Sequence, residues 1–253
     1  MSVKQATFRF YEELNDFLPF DKKKVAFTHS FEGAPSIKDV IEAIGVPHVE
    51  VDMILVNSKS FDFNYILKNN DHVSVYPVFE TIDISGASHM RPKPLRKTKF
   101  ILDVHLGKLA KYLRMFGFDS LYQNDYDDNR IIQISLAEHR IILTRDIGLL
   151  KVKIVSHGYW IRNQKPKEQL FEVLKYFDLY KGIDPFNRCI KCNGKLKSVR
   201  KENIIKQIEP LTRKFFIDFY KCLNCGGIFW EGSHYDKMIK FIDDVKKDMS
   251  ELA

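Results

Sequence analysis

Apolar residues recur along this chain with two periods, and the switches between them mark its elements. Near the start, Thr7 to Tyr11 and Val25 to Thr28 read as strands. Ser36-Ile37-Lys38-Asp39 opens a short helix in the manner of a capping box, and Gly45 stops it. Met53 to Val56 is another apolar strand, Asn69-Asn70-Asp71 a turn, and His72 to Val78 alternates as a last strand. Strand, strand, helix, strand, strand within residues 1–80 predicts a ubiquitin-like β-grasp domain.

The pattern changes after residues 81–98. That stretch holds Ser85-Gly86-Ala87-Ser88 and Arg91-Pro92-Lys93-Pro94, which read as a linker. From Arg91 to Lys99 it carries five basic residues and no acid, which fits a solvated tether or a nucleic-acid contact. Strands then alternate with helices. Phe100 to Leu102, Ser120 to Gln123, Arg140 to Thr144 and Tyr159 to Ile161 are strands. His105 to Phe116, with leucines at 106, 109 and 113 and closed by Gly117, is a helix, as are Asn129 to Glu138 and Lys167 to Phe177. Such alternation predicts an α/β domain with a parallel sheet over residues 99–183.

All four cysteines lie in the remaining segment, 184–253, as Cys189-x-x-Cys192 and Cys222-x-x-Cys225. Two such knuckles, each followed by a turn (Asn193-Gly194 and Gly226-Gly227), have the spacing of a structural Zn²⁺ ribbon. Disulfides or a redox dithiol are the competing readings.

Composition narrows the picture. The 253 residues are 45% hydrophobic, ample for packed cores, and the net charge of +7 favours polyanionic partners. No apolar run approaches the roughly 18 residues of a membrane helix. The first residues lack a signal peptide's apolar stretch, so the expectation is a cytoplasmic protein with no membrane partner.

Carboxylates supply the candidate chemistry. Asp103 and Asp146 each follow a predicted strand, and Asp128 opens a predicted helix. Strand C-termini of an open α/β sheet line a common crevice, where clustered aspartates suit Mg²⁺ or Mn²⁺. Each aspartate also reads as a helix cap or an ordinary strand-end polar residue, and Asp125 and Asp127 read as solvated loop acids. Arg114 and Arg145 are candidate phosphate ligands, with structural ion pairing as the alternative. Lys108 is a further phosphate candidate, and His105 lies near Asp103 as a catalytic candidate that an aspartate–metal site does not require. Ten Lys or Arg against three acids between Asn187 and Leu223, with Phe215, Phe216, Phe219, Tyr220 and Trp230 nearby, give the ribbon RNA-binding character. Arg188 and Lys191 are its candidate contacts.

Two resemblances extend this reading. Met53 to Asn57 and Leu67 to Val78 resemble the small sulfur-carrier proteins, but no terminal diglycine follows, so a docking or scaffolding role is expected. Phe100 to Asp119, Ile142 to Asp146, Arg188 to Gly194, Cys222 to Cys225 and Phe229 to Tyr235 resemble the Mut-seven C-terminal RNase-domain family, a PIN-like nuclease fold with a zinc ribbon. Some of its bacterial members carry an N-terminal ubiquitin-like domain. The resemblance implies metal-dependent RNA hydrolysis, with Asp103 and Asp146 in the two strand-end positions, Thr144 before the latter, and Asp128 as the third acid. It implies RNA as partner, a protein partner for the ubiquitin-like block, and pairing into a homodimer. A non-catalytic RNA-binding adaptor is the alternative.

Overall fold

The computed structural model describes residues 3–77 and 98–250. Residues 81–97 of the expected linker, and Val78, lie outside them. In chain order the strands and helices begin with β1 (Lys4–Phe10), β2 (Phe27–Phe31), α1 (Ile37–Ile44), β3 (Val51–Val56), β4 (Lys59–Phe61) and β5 (His72–Pro77). Then come β6 (Lys99–Leu102), α2 (Gly107–Met115), β7 (Asp119–Leu121), α3 (Asp128–Glu138), β8 (Ile141–Thr144), α4 (Ile147–Leu150), β9 (Gly158–Trp160) and α5 (Pro166–Tyr176). Last are β10 (Leu196–Val199), α6 (Pro210–Phe215), β11 (Phe219–Cys222), β12 (Ile228–Trp230) and α7 (Ser233–Ser250). Two compact units result: Met1–Arg96 with Asp146–Trp160, and Lys97–Arg145 with Ile161–Ala253, each taken over its described residues. Residues on both sides of position 183 belong to the second unit.

The first unit is a β-grasp sheet in the order β2-β1-β5-β3-β4, with β1 and β5 parallel and the other pairs antiparallel. Ser36 caps α1 by accepting from Asp39 N–H, and Gly45 ends it at φ +131°. Ile37 and Ile41 on α1 pack with Phe8, Ile54 and Val75 of the sheet in one buried cluster. The short β4 was not foreseen. It returns from β3 through Asn57 and Ser58, both at positive φ, a two-residue hairpin suited to the twist of the strands. Segment 146–160 is held in this unit by polar contacts. Trp160 N–H donates to Glu50 Oε1 at 2.6 Å, and His48 Nε2 meets the Val155 carbonyl at 2.7 Å.

In the second unit β6 pairs in parallel with β7 on one side and β8 on the other. Leu106, Leu109 and Leu113 are fully buried, as the helical spacing predicts, although Val104–Leu106 is a 3₁₀ turn leading into α2. Gly117 ends that region at φ +97°, and a Cβ there would stand 2.1 Å from the Asp184 carbonyl oxygen, so no other residue fits. Strands β10-β11-β12 form the antiparallel ribbon sheet over a small cluster of Ile204, Ile208 and Phe219.

Candidate functional site

The two knuckles converge. All four sulfur atoms lie within 4.8 Å of one another, with Cys189–Cys225 at 3.8 Å and Cys192–Cys222 at 3.4 Å. Zinc–thiolate bonds of about 2.3 Å in a tetrahedron put sulfurs about 3.8 Å apart, whereas a disulfide needs about 2.05 Å. The cage fits a four-coordinate metal and rules out a formed disulfide. Burial pushes the Cys189 thiol up to about 12. At Cys192 burial also pushes upward, but hydrogen bonds from the Gly194 backbone and the neighbouring thiols bring it down to about 6. A cation bound in the cage would offset the cost of a buried thiolate at Cys189. Gly194 is compulsory here, since a Cβ would lie 2.8 Å from Cys222 Sγ.

A polar joint ties the first knuckle to the parallel sheet, and it engages one expected phosphate ligand, Arg114, and one expected RNA contact, Arg188. Arg114, on α2, is 2% exposed. It donates from Nε to the Ser120 carbonyl at 2.7 Å, from Nη1 to the carbonyls of Ile190 and Lys191 at 3.3 and 3.0 Å, and from Nη2 to that of Tyr122 at 3.3 Å. Burial lowers its pKa from the ordinary value, while the charges of Cys192 and Cys189 raise it. Arg114 thus holds the knuckle against β7 rather than meeting a phosphate. Arg188 pairs with Asp119 at 2.9 Å and donates to the Asn193 carbonyl, so it too belongs to this joint. Asp119 is the hub: Arg140 reaches it at 2.7 Å and Asn193 Nδ2 at 2.7 Å. Burial alone would raise the Asp119 pKa, but hydrogen bonds from Arg140 and Asn193 and the nearby Arg140 and Arg188 charges lower it below the usual value. Sequence reasoning missed this hub, because an acid beside a glycine-closed helix carries no local mark of distant arginines.

The carboxylates are distributed differently. Asp103 is buried at the end of β6. Its Oδ2 accepts from the Thr144 hydroxyl at 2.7 Å, its Oδ1 from Val104 N–H at 2.5 Å, and its own N–H donates to the Leu143 carbonyl. Thr144 is fully buried, so it orients Asp103 and is not itself a nucleic-acid contact. Asp146 is exposed and caps α4, accepting from Gly148 N–H at 2.7 Å. Asp128 is the exposed first residue of α3, and the preceding Asp127 is the residue that caps that helix, accepting from Arg130 N–H at 2.7 Å. Among the described residues, the four cysteines are the one group of three or more Cys, His, Asp or Glu ligand atoms gathered tightly enough for a single ion. Asp103 and Asp128, both of the second unit, belong to no other such group among the described residues.

Beside the Asp103–Thr144 pair the chain builds a cationic cleft of about 450 Å³. His105 and Arg145, which follow the two members of the pair in sequence, both line it, with Lys108, Lys111, Tyr122 and Gln169. None of its lining residues is acidic. Lys108 and Arg145 thus line one cleft, and Lys191 is exposed on the first knuckle. Lys111, Tyr122 and Gln169 were missed; the i, i+3 spacing of Lys108 and Lys111 on one helix was the available signal. Gly107 lets Tyr122 close the cleft wall, because a Cβ would meet the Tyr122 hydroxyl at 2.6 Å; that hydroxyl donates to the Val104 carbonyl at 3.0 Å.

Four observations now stand together: a β-grasp unit, a parallel-sheet unit, a thiol cage and a cationic cleft next to a buried strand-end aspartate. No helix among the described residues is long and apolar enough to cross a membrane. Comparison with curated proteins and with solved structures gave no match. Comparison with protein families matched the Mut7-C RNAse domain over residues 98–242 and the Mut7-C ubiquitin domain over residues 3–83. With more than half of its length matched, the chain belongs to the Mut7-C RNAse domain family and carries that family's ubiquitin-like domain at its N-terminal side.

Proposed function

We propose that this protein is a metal-dependent ribonuclease that hydrolyses RNA phosphodiesters, with Zn²⁺ in the thiol cage and Mg²⁺ or Mn²⁺ held at Asp103, Asp128 and Asp146. The observation that carries the reading is a buried, oriented strand-end carboxylate next to a cleft lined by cations and no acids. The donor set fits the ion. Carboxylate oxygens are the hard donors that Mg²⁺ and Mn²⁺ take, with waters and substrate phosphates completing the shell. Bound there, such an ion supplies charge neutralisation at the phosphate and a more acidic water.

The side chains do the rest. Thr144 fixes the Asp103 rotamer, so its anionic oxygens keep one direction. Arg145, Lys108 and Lys111 draw the RNA backbone into the cleft and neutralise the phosphate, Arg145 with the bidentate geometry of a guanidinium. The exposed Lys191 extends that basic track. The ubiquitin-like domain recruits a protein partner, and reduced cysteines fit a cytoplasmic setting.

One observation favours a second reading, an RNA-binding adaptor without turnover: among the described residues, Asp103 and Asp128 of the second unit belong to no gathered group of metal ligands. The full-length protein with zinc retained, given labelled RNA and DNA with and without Mn²⁺, separates the two. Metal-dependent RNA cleavage that is lost in Asp103→Asn and in Asp146→Asn is the expected result. Asp103→Asn keeps its Thr144 bond and costs about 1–2 kcal/mol of stability. Normal cleavage by both variants would falsify the assignment, and salt-sensitive binding with no cleavage by the wild type would establish the adaptor.

A further inference from the structure

Further along α2, toward its C-terminal end, the second unit holds another cavity, of about 760 Å³. Its chemistry is opposite to that of the cationic cleft. Tyr112, Phe229, Trp230, Tyr235 and Phe241 line it, together with Met115 and Met238. Lys191, His234 and Lys237, all exposed, line it as well, and no lining residue is acidic. We infer that this cavity is a nucleobase pocket that takes one unstacked base of a single-stranded RNA whose backbone lies in the cationic cleft. The inference rests on the RNA reading given above.

The placement supports one occupant. Lys108 and Lys111, three apart on α2, line the cationic cleft, while Tyr112 and Met115, also three apart, line the aromatic cavity. Side chains at i and i+3 share a helix face. Lys108 and Tyr112, and Lys111 and Met115, are four apart and share that face too, so the two cavities follow one another along one side of α2, the cationic cleft at its first turns and the aromatic cavity at its last. A strand running along α2 presents its phosphates to the cations and a base to the rings, which is how single-stranded RNA is bound: a positive groove for the backbone and aromatic platforms for the bases. Aromatic walls with a rim of lysines suit a base followed by its phosphate, and suit an apolar peptide less well. The volume falls within the range of ordinary small-ligand pockets. The walls are held in place: the Tyr112 and Phe241 rings lie 5.0 Å apart, those of Phe216 and Trp230 6.3 Å apart, and the carbonyls of Ile190 and Lys191 on the knuckle are bound by Arg114 of α2. Trp230 is 38% exposed, so one wall remains open to solvent.

The chain has two tryptophans, Trp160 and Trp230. In the full-length protein carrying Trp160→Phe, Trp230 becomes the single reporter, and divalent ions are withheld so that no cleavage occurs. Oligo(A) and an abasic ribose-phosphate oligomer of equal length are titrated in parallel. The expected result is quenching of Trp230 by oligo(A) alone, with binding roughly tenfold tighter than that of the abasic oligomer. Phe229→Ala should bring the two affinities together without weakening the abasic oligomer. Equal binding of both oligomers with no change at Trp230 overturns the pocket and leaves the RNA reading standing. No binding of either overturns both. The oligomer comparison on the unaltered pocket decides the matter even if Phe229→Ala does not fold.

Discussion

The thiol cage and the carboxylates were both expected as metal sites, yet the fold treats them differently. The cysteines arrive in pairs three residues apart, so each knuckle presets two sulfurs, and the β11–β12 hairpin has only to bring one knuckle to the other. The aspartates come singly from the ends of different elements. Two of them already serve their local backbone: Asp103 receives Val104 N–H and Asp146 receives Gly148 N–H. A soft four-thiolate site completes itself and belongs to folding, whereas a hard carboxylate site leaves room for waters and substrate. The contrast implies that removing metal from the first destroys structure and removing it from the second stops chemistry alone.

The largest expected effect tests that division. Metal binding at a structural thiolate site is worth on the order of 10 kcal/mol. Cys222→Ser should therefore release the zinc, unfold the β10–β12 ribbon and lower the melting temperature, as read by metal content, thermal unfolding and proteolysis. Asp103→Asn should retain zinc at one per chain and keep the ribbon resistant to protease. A Cys222→Ser protein that melts like the wild type would remove the cage from the folding side of the comparison.

Next in size is the joint between knuckle and sheet. Asp119 is paired with Arg140 and Arg188 and largely buried, so Asp119→Ala leaves Arg188 without its carboxylate and Arg140 with Glu138 alone, and should cost about 3 kcal/mol. The pH dependence follows from its depressed pKa. The folded state holds the Asp119 proton less tightly than the unfolded chain does, so its contribution is fully present above the ordinary value of 3.8 and is lost as pH falls through the lower folded value. Denaturant melts of wild type and Asp119→Asn between pH 6 and about 2 should converge at the acid end. Parallel curves would remove Asp119 as the hub.

Much of the fold was legible because periodic burial is a local signal. The Leu106, Leu109 and Leu113 stripe, the Ser36 cap and the closing Gly117 each state their role within a few residues. The strand β4 was hidden because it is three residues long, and its turn uses Asn57-Ser58 in place of a glycine pair. The cage was legible for the same local reason. Arg114 and Arg188 were not, since a guanidinium aimed at a phosphate and one bonded to carbonyls 76 residues away look alike in a sequence. What separates them is burial, and burial of a polar side chain depends on which distant backbone groups need a donor.

The smallest effect discriminates most finely, between adjacent acids at the start of α3. Asp127 accepts Arg130 N–H as the helix cap, and Asp128 is the first helical residue, exposed. Replacing a capping aspartate with alanine costs about 1 kcal/mol. Asp127→Ala should therefore lower stability by about that amount, while metal-dependent cleavage, measured well below the melting temperature, persists. Asp128→Ala should show the reverse: little loss of stability and a large loss of cleavage, with higher Mn²⁺ restoring part of it. Because the two residues share one helix terminus, a general fraying of α3 would affect both variants alike, so opposite signatures at neighbouring positions can arise only from different jobs. If Asp127→Ala is the variant that loses activity and responds to Mn²⁺, the third ligand moves by one residue, and the cap is then a carboxylate that serves backbone and ion together.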